Sequence, residues 1–234
     1  TDIDLAQALA TASAAAGLAA VPPFTIEEVE EQNWVQLTQS QFDPIRITDR
    51  LWIVPTWHTA PDADAINLVL DPGMAFGTGS HPTTRLCLEW LTEVVTPGVS
   101  VLDYGCGSGI LAIAAAKLGA GEVTGVDIDE KAVATAADNA ANNGVSLHLQ
   151  VSAKPLDGTF QRVVANILTN PLKMLAPLLA ARVAPGGKLA LSGVLEAQAA
   201  EVIAAYAPYI ALRVGATHEG WVRLEGEHPA PAVP

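Results

Sequence analysis

Cysteine is nearly absent: Cys87 and Cys106 are the only two in 234 residues. One falls in a helical pattern and the other in a glycine-rich turn, which argues against a disulfide framework and points to a reducing, cytoplasmic setting. Cations are scarce as well. Twelve lysines and arginines stand against 25 aspartates and glutamates, a net charge of −13. That balance disfavours nucleic acid as a direct partner; it suits a basic partner, whose encounter an acidic surface accelerates, or simply keeps the chain soluble. The sequence has no apolar run of about 18 residues to cross a membrane. Its first residues, with Asp2 and Asp4, lack the basic segment of a signal peptide. The chain opens on Thr1 where a complete one opens on Met, so a fragment or a processed form is expected. What is present is apolar: half the residues are hydrophobic, enough for a sizeable core in one domain and part of another.

The rest of the chain is organised around Val99–Ile110. An apolar run from Val99 to Leu102 reads as a buried strand, Asp103 follows, and glycines recur at Gly105, Gly107 and Gly109 before an Ala-rich helical pattern, Leu111 to Leu118. Strand, glycine turn and helix open the nucleotide-binding half of an α/β fold. A dinucleotide fingerprint needs a third glycine at position 110, where this chain has Ile110. The spacing Asp-x-Gly-x-Gly-x-Gly resembles instead the first motif of S-adenosylmethionine-dependent methyltransferases. Asp127 closes the next apolar run, 22 residues after Gly105, where a carboxylate at a strand end accepts from ribose hydroxyls. The bland alternative is a glycine-rich turn in some other doubly wound protein.

Ahead of this motif, residues 1–20 read as an Ala-rich helix ended by Pro22-Pro23, and Thr25 with Glu28 forms a capping box for a helix over 26–39. Strands are expected up to Thr48, from there to Val54, and from Ile66 to Leu70. A loop rich in glycine and hydroxyls, Asp71 to Thr84, leads into a helix to about Val95 opened by Pro82. Such a loop closes over a ligand, or is an irregular turn with Ser80 or Thr83 as helix cap. His81 is as readily a structural hydrogen bonder as a base and receives no catalytic role. Downstream, helices are expected over 130–142, 171–183 and 195–206. Strands are expected over 146–151, 162–167, 188–193, 209–214 and 221–224, and the Pro185-Gly186-Gly187 run stops the second of those helices. The alternation predicts an α/β, Rossmann-like, mostly parallel seven-stranded sheet. The last two strands have no helix between them and form a C-terminal antiparallel hairpin. Gly226 onward is an expected tail.

Asn166 ends a strictly apolar strand at the edge where open α/β sheets bind ligands. Its amide has three roles open to it: accepting from an amine about to be methylated, touching the amino-acid end of the cofactor, or capping a helix that starts near Thr169 or Pro171. Methyl transfer from a sulfonium to an amine asks the protein only to desolvate, align and accept hydrogen bonds. The lack of an obvious nucleophile, acid–base pair or metal cluster therefore fits that chemistry.

Beyond the glycine turn, the stretches Leu51-Trp52-Ile53-Val54-Pro55-Thr56-Trp57, Gly73 to Thr84, Leu102 to Ala114, Val126-Asp127-Ile128-Asp129 and Val164-Ala165-Asn166-Ile167-Leu168 together resemble the ribosomal protein L11 methyltransferases, the PrmA family, over roughly Val21 to Gly226. The loop Gly73 to Thr84 is the most specific of them. The resemblance implies S-adenosyl-L-methionine-dependent methylation of lysine side chains and the N-terminal amine of ribosomal protein L11, with S-adenosyl-L-homocysteine as product. It places cofactor contacts at Thr84, Gly105, Asp127 and Asn166, beside the Asp103, Gly107 and Gly109 of the motif. Phe76 and Thr78 would border the methionine end and, with Asn166, the incoming amine. The family carries a small N-terminal α+β substrate-recognition domain, of which residues 1–24 read as only a remnant; a helical linker over 25–42, a catalytic domain over 43–226 and a tail over 227–234 complete the expected layout. A monomer acting on the free ribosomal protein is expected. The competing readings are a methyltransferase of another protein, a glutamine side chain or a small-molecule amine, and a cofactor-binding core inactive for lack of its docking domain. Ile167-Leu168 after Asn166 departs from the Asn-Pro-Pro-Tyr of glutamine-modifying relatives.

Overall fold

The computed structural model describes residues 5–23, 42–71 and 81–230. They fall in two units, Thr1–Ser40 and Gln41–Pro234. Among the described residues the first contributes one helix, α1 (Leu5–Ala15). It stops short of the expected residue 20 because Gly17 turns left-handed, with φ 72°. The Gly17 N–H donates to the Ala14 carbonyl at 3.1 Å and the Leu18 N–H to the Ser13 carbonyl at 3.0 Å, the bond pair of a Schellman cap. The helix expected over 26–39, with its Thr25–Glu28 box, lies outside the described residues, as do residues 72–80 with Phe76 and Thr78.

In the second unit β1 (Ile45–Thr48), β2 (Leu51–Val54) and β3 (Ile66–Val69) form a small sheet of their own in the order β1-β2-β3. Apolar alternation predicted these strands but not their separation from the main sheet. The main sheet contains β4 (Val101–Tyr104), β5 (Val123–Asp127), β6 (His148–Val151), β7 (Phe160–Asn166), β8 (Val183–Leu195), β9 (Leu212–His218) and β10 (Trp221–Glu227). Its order is β6-β5-β4-β7-β8-β10-β9. β4 through β8 pair in parallel, and β10 runs antiparallel to both β8 and β9, the hairpin the sequence predicts. The strand order reverses between β4 and β7, and that reversal fixes where a ligand can enter.

Helices cover both faces: α2 (Pro82–Val94), α3 (Ile110–Lys117), α4 (Glu130–Asn142), α5 (Thr169–Met174), α6 (Ala176–Ala181) and α7 (Ala199–Tyr206). Successive strand residues feed opposite cores. Val101, Val164 and Ala190 pack with α2, α3 and the small sheet, while Leu102, Val163 and Leu191 pack with α5, α6 and α7. That is why the strands read as unbroken apolar runs. Among the described residues no helix is long and apolar enough to cross a membrane.

Four boundaries depart from expectation. The helix expected over 171–183 is two short helices, because Pro177 has no N–H for the Lys173 carbonyl and the chain turns at Leu175 (φ −87°, ψ 2°). The Pro185-Gly186-Gly187 run does not precede β8 but lies within it, and the β7–β8 register shifts between Phe160 and Arg162. The segment after β8 opens with a single 3-10 turn, Glu196–Gln198, before α7. β9 starts at Leu212 rather than Tyr209, since the Tyr209 and Ile210 N–H groups both donate to the Tyr206 carbonyl and extend the end of α7.

Candidate active site

The glycine turn joins β4 to α3 at the sheet edge. Gly105, Gly107 and Gly109 all take positive φ (79°, 52° and 79°), a region L side chains rarely adopt. Space forbids a side chain as well: a Cβ at Gly105 would stand 2.3 Å from Ile167 Cγ2, and one at Gly109 would stand 2.9 Å from Ala136 Cβ. The turn is strapped to β5 by the Gly105 and Cys106 N–H groups, which donate to the Val126 carbonyl at 2.7 and 3.0 Å. Asp127 completes it. Its Oδ2 accepts from the Gly107 N–H at 2.8 Å and its Oδ1 from the Asp129 N–H at 3.0 Å. Each oxygen keeps a lone pair, so a carboxylate held rigidly across the turn can still accept two hydroxyls. Ile128 beside it is 86% exposed. A cavity of about 480 Å³, lined by Tyr104, Val126, Ser152, Leu156, Leu178 and Arg182, opens on the other side of this strand end. Sequence reading missed the cavity: nothing in the sequence alone announced that β6 and β7 would be joined by a loop leaving that face open.

Asp103 is buried at the foot of the turn. Its Oδ2 accepts from the Ala112 N–H at 3.1 Å, pinning the first turn of α3, while Oδ1 has no partner. Burial pushes its carboxyl up to about 7; the Ala112 bond opposes this and the Asp127 charge adds to it.

Two strands away the chain assembles a second group. α2 is capped by His81, whose Nδ1 accepts from the Thr83 N–H at 3.3 Å. The cap is therefore neither Ser80 nor Thr83, and His81 serves as a structural hydrogen bonder. Its ring meets Trp221 edge-on, centroids 4.9 Å apart. Thr84, buried one step further, accepts from Asn166 Nδ2 at 3.3 Å. Asn166 is not a helix cap: α5 starts after Leu168, with no side-chain cap. With Nδ2 turned to the Thr84 hydroxyl, Oδ1 is left to accept from something else. The sequence thus named Thr84 and Asn166 separately, and the fold joins them. Trp221 was legible only as a strand start. Among the described residues no group of three His, Cys, Asp or Glu is placed to hold a metal.

The arrangement therefore has a rigid carboxylate over a glycine cradle on β4 and β5, and a fixed amide on β7 with an unused acceptor oxygen. A family model described as Ribosomal protein L11 methyltransferase (PrmA) matches residues 1–229. A relative from Dechloromonas aromatica named ribosomal protein L11 methyltransferase is 62% identical over 228 residues, covering 97% of this chain and 77% of its own length. Among solved structures, the ribosomal protein L11 methylase of Lactobacillus delbrueckii subsp. bulgaricus superposes with a TM-score of 0.74 at 32% identity, over 80% of this chain and 98% of that one. A T. thermophilus 16S rRNA methyltransferase in complex with AdoMet and guanosine superposes with a TM-score of 0.58 at 25% identity, over 66% of this chain and 45% of that one.

Proposed function

The chain belongs to the ribosomal protein L11 methyltransferase family, and we propose on that premise that it transfers methyl groups from S-adenosyl-L-methionine to lysine side-chain and N-terminal amines of ribosomal protein L11. The observation that carries the cofactor is the Asp127 carboxylate, locked across the glycine turn by the Gly107 N–H at 2.8 Å with lone pairs to spare. The residues present fit the group, since Asp127 keeps lone pairs for two hydroxyls and Gly105, where a Cβ would collide with Ile167, leaves the backbone of the turn bare. In this reading Asp127 receives the ribose hydroxyls, Ile128 and the neighbouring cavity give the base apolar surface, and the backbone at Gly105, Gly107 and Gly109 lies against the sugar and amino-acid portion. Asp103 keeps the turn in register with α3. Thr84 and Asn166 stand where the methionine end and the incoming amine meet. Phe76 and Thr78 join them on family resemblance alone.

When bound, S-adenosyl-L-methionine supplies an activated methyl group and its own neutral leaving group, S-adenosyl-L-homocysteine. The remaining work falls to this chain. A lysine amine has a pKa of about 10.4 in water and must be neutral to attack; moving it out of water lowers that value and releases the proton to solvent. Asn166 Oδ1 accepts one amine N–H and so aims the lone pair. Residues 43–226 act as the catalytic domain, as a monomer in the cytoplasm. The substrate is the free ribosomal protein, because a net charge of −13 is repelled by the phosphates of an assembled subunit.

The test is the intact mass of purified L11 after incubation with this chain and S-adenosyl-L-methionine. Gains in methyl steps are expected, faster on the free protein than on intact subunits. No gain with the cofactor still bound would favour an inactive core, and no binding at all would overturn the reading of the glycine turn.

A further inference from the structure

One corner of the catalytic edge is left over by this chemistry. β7, β8 and the turn between β9 and β10 end there side by side, with Asn166 paired to Ser192 and Trp221 to Leu195. The Thr169 hydroxyl donates to Gln198 Oε1 at 2.8 Å, and the Glu196 N–H donates to the Gly220 carbonyl at 3.0 Å. These bonds fix Leu168, Leu195, Glu196 and Glu219 as one rim next to Asn166. Leu168 is 70% and Leu195 41% exposed, so two large apolar side chains face water beside the site. Glu196 makes no ion pair among the described residues, and Glu219 reaches only the His218 imidazole, at 4.0 Å. Five of the unit's cations lie toward the opposite ends of the strands: Lys117 closes α3, Arg162 is the third residue of β7, Arg182 precedes β8, and Lys188 and Arg213 occupy the first halves of β8 and β9; Lys173 and Arg223, nearer the rim, are paired with Glu201 and Glu225.

Glu219 is also the one non-glycine residue with positive φ among the described residues, at 49°. It occupies a two-residue hairpin turn with Gly220, where asparagine is the residue the backbone prefers. Glutamate is outside the set of residues this turn favours, and it places a carboxylate at the tip.

We propose that this rim is the docking surface for the polypeptide that carries the amine. Its occupant is a lysine-bearing segment with further cations alongside, apolar side chains resting on Leu168 and Leu195 and cations facing Glu196 and Glu219. The inference rests on the protein-amine reading of the site and extends it to how the substrate is held. Charge complementarity selects the occupant. A protein that lives against RNA phosphates carries lysine and arginine, whereas a nucleic acid or a second copy of this acidic chain is repelled by the same carboxylates.

Steady-state methylation of L11 by the unaltered chain, Glu196→Gln, Glu219→Asn, the double variant and Leu168→Ser tests it. The double variant should raise KM for L11 at least about fivefold at low ionic strength, with kcat and KM for S-adenosyl-L-methionine within twofold, and added salt should shrink the difference because it screens exposed charges. Leu168→Ser should raise KM for L11 independently of salt. Glu219→Asn should melt at or above the parent temperature, so that its loss of affinity cannot be a folding defect. An unchanged KM for L11 in the double variant overturns the rim and leaves the reaction standing. A dimer that Leu168→Ser dissociates also overturns it, by making the rim a self-association surface. No methyl incorporation by the unaltered chain overturns the functional reading, and the rim with it.

Discussion

Asn166 has two roles left to it, and they differ in how they treat successive methyl transfers. Its Nδ2 donates to Thr84 at 3.3 Å, and Oδ1 is the part of the amide that can accept an amine N–H. If Oδ1 accepts an amine N–H, that bond strengthens as the nitrogen becomes cationic in the transition state. A hydrogen bond to a charged group is worth about 1.5–3 kcal/mol against about 1 for a neutral one, so about 0.5–2 kcal/mol is realised only in the transition state. Asn166→Ala should therefore slow transfer to a primary amine by roughly 2- to 30-fold. A monomethylated amine retains one N–H and should show a similar loss. A dimethylated amine has none when neutral, and the substitution should scarcely touch it. The assay is single-turnover transfer to L11 carrying unmodified, monomethylated or dimethylated lysine, with cofactor affinity measured in parallel. Equal slowing on all three substrates, joined to weaker cofactor binding, would refute the amine role and assign Asn166 to the amino-acid end of the cofactor.

Asp127→Asn places an NH2 against either the Gly107 or the Asp129 N–H whichever way the amide turns; it should weaken S-adenosyl-L-homocysteine by about 1.5–3 kcal/mol, roughly 10- to 150-fold by calorimetry, and an unchanged Kd would count against the ribose assignment. Gly105→Ala adds left-handed strain and a Cβ 2.3 Å from Ile167 Cγ2; it should cost about 2–5 kcal/mol of stability, and Ile167→Ala should recover the contact part but not the strain in a double-mutant cycle. Asp103, with its carboxyl raised from 3.8 to about 7, binds more protons folded than unfolded between those values, so its contribution to stability falls as pH rises through that window. Asp103→Asn should flatten the resulting decline of Tm between pH 5 and 8, and an identical pH profile in the variant would refute the assignment. Both cysteines are buried, with the Cys87 thiol pushed up to about 12 and Cys106 also raised by burial; neither should alkylate at pH 8 until the chain is unfolded, and labelling of the native protein would contradict this.

The sequence carried the donor half of the site almost completely, and the acceptor half only in pieces. Gly105, Gly107, Gly109, Asp103 and Asp127 lie within 25 residues, and their geometry follows from local rules: positive φ needs glycine, and a strand-end carboxylate finds the N–H groups of its own turn. The acceptor half depends on which strands become neighbours. Thr84 and Asn166 are 82 residues apart, and the Trp221–His81 contact joins α2 to β10, a strand placed beside β8 by a reversal of direction that spacing alone suggests but does not locate. The boundaries that moved have the same origin. Pro177 and Gly17 act through single missing or strained backbone groups and could be read locally, whereas the Gly186 bulge inside β8 exists only because β7 is there to pair on either side of it. The consequence reaches the chemistry. A methyl donor can be held by one contiguous turn because its binding elements are invariant in shape. Selecting an acceptor requires groups from α2, β7, β8 and β10 to converge, and that convergence puts the exposed Leu168 and Leu195 next to Asn166. Substitutions along the rim are therefore expected to alter which protein is methylated before they alter whether a methyl group moves.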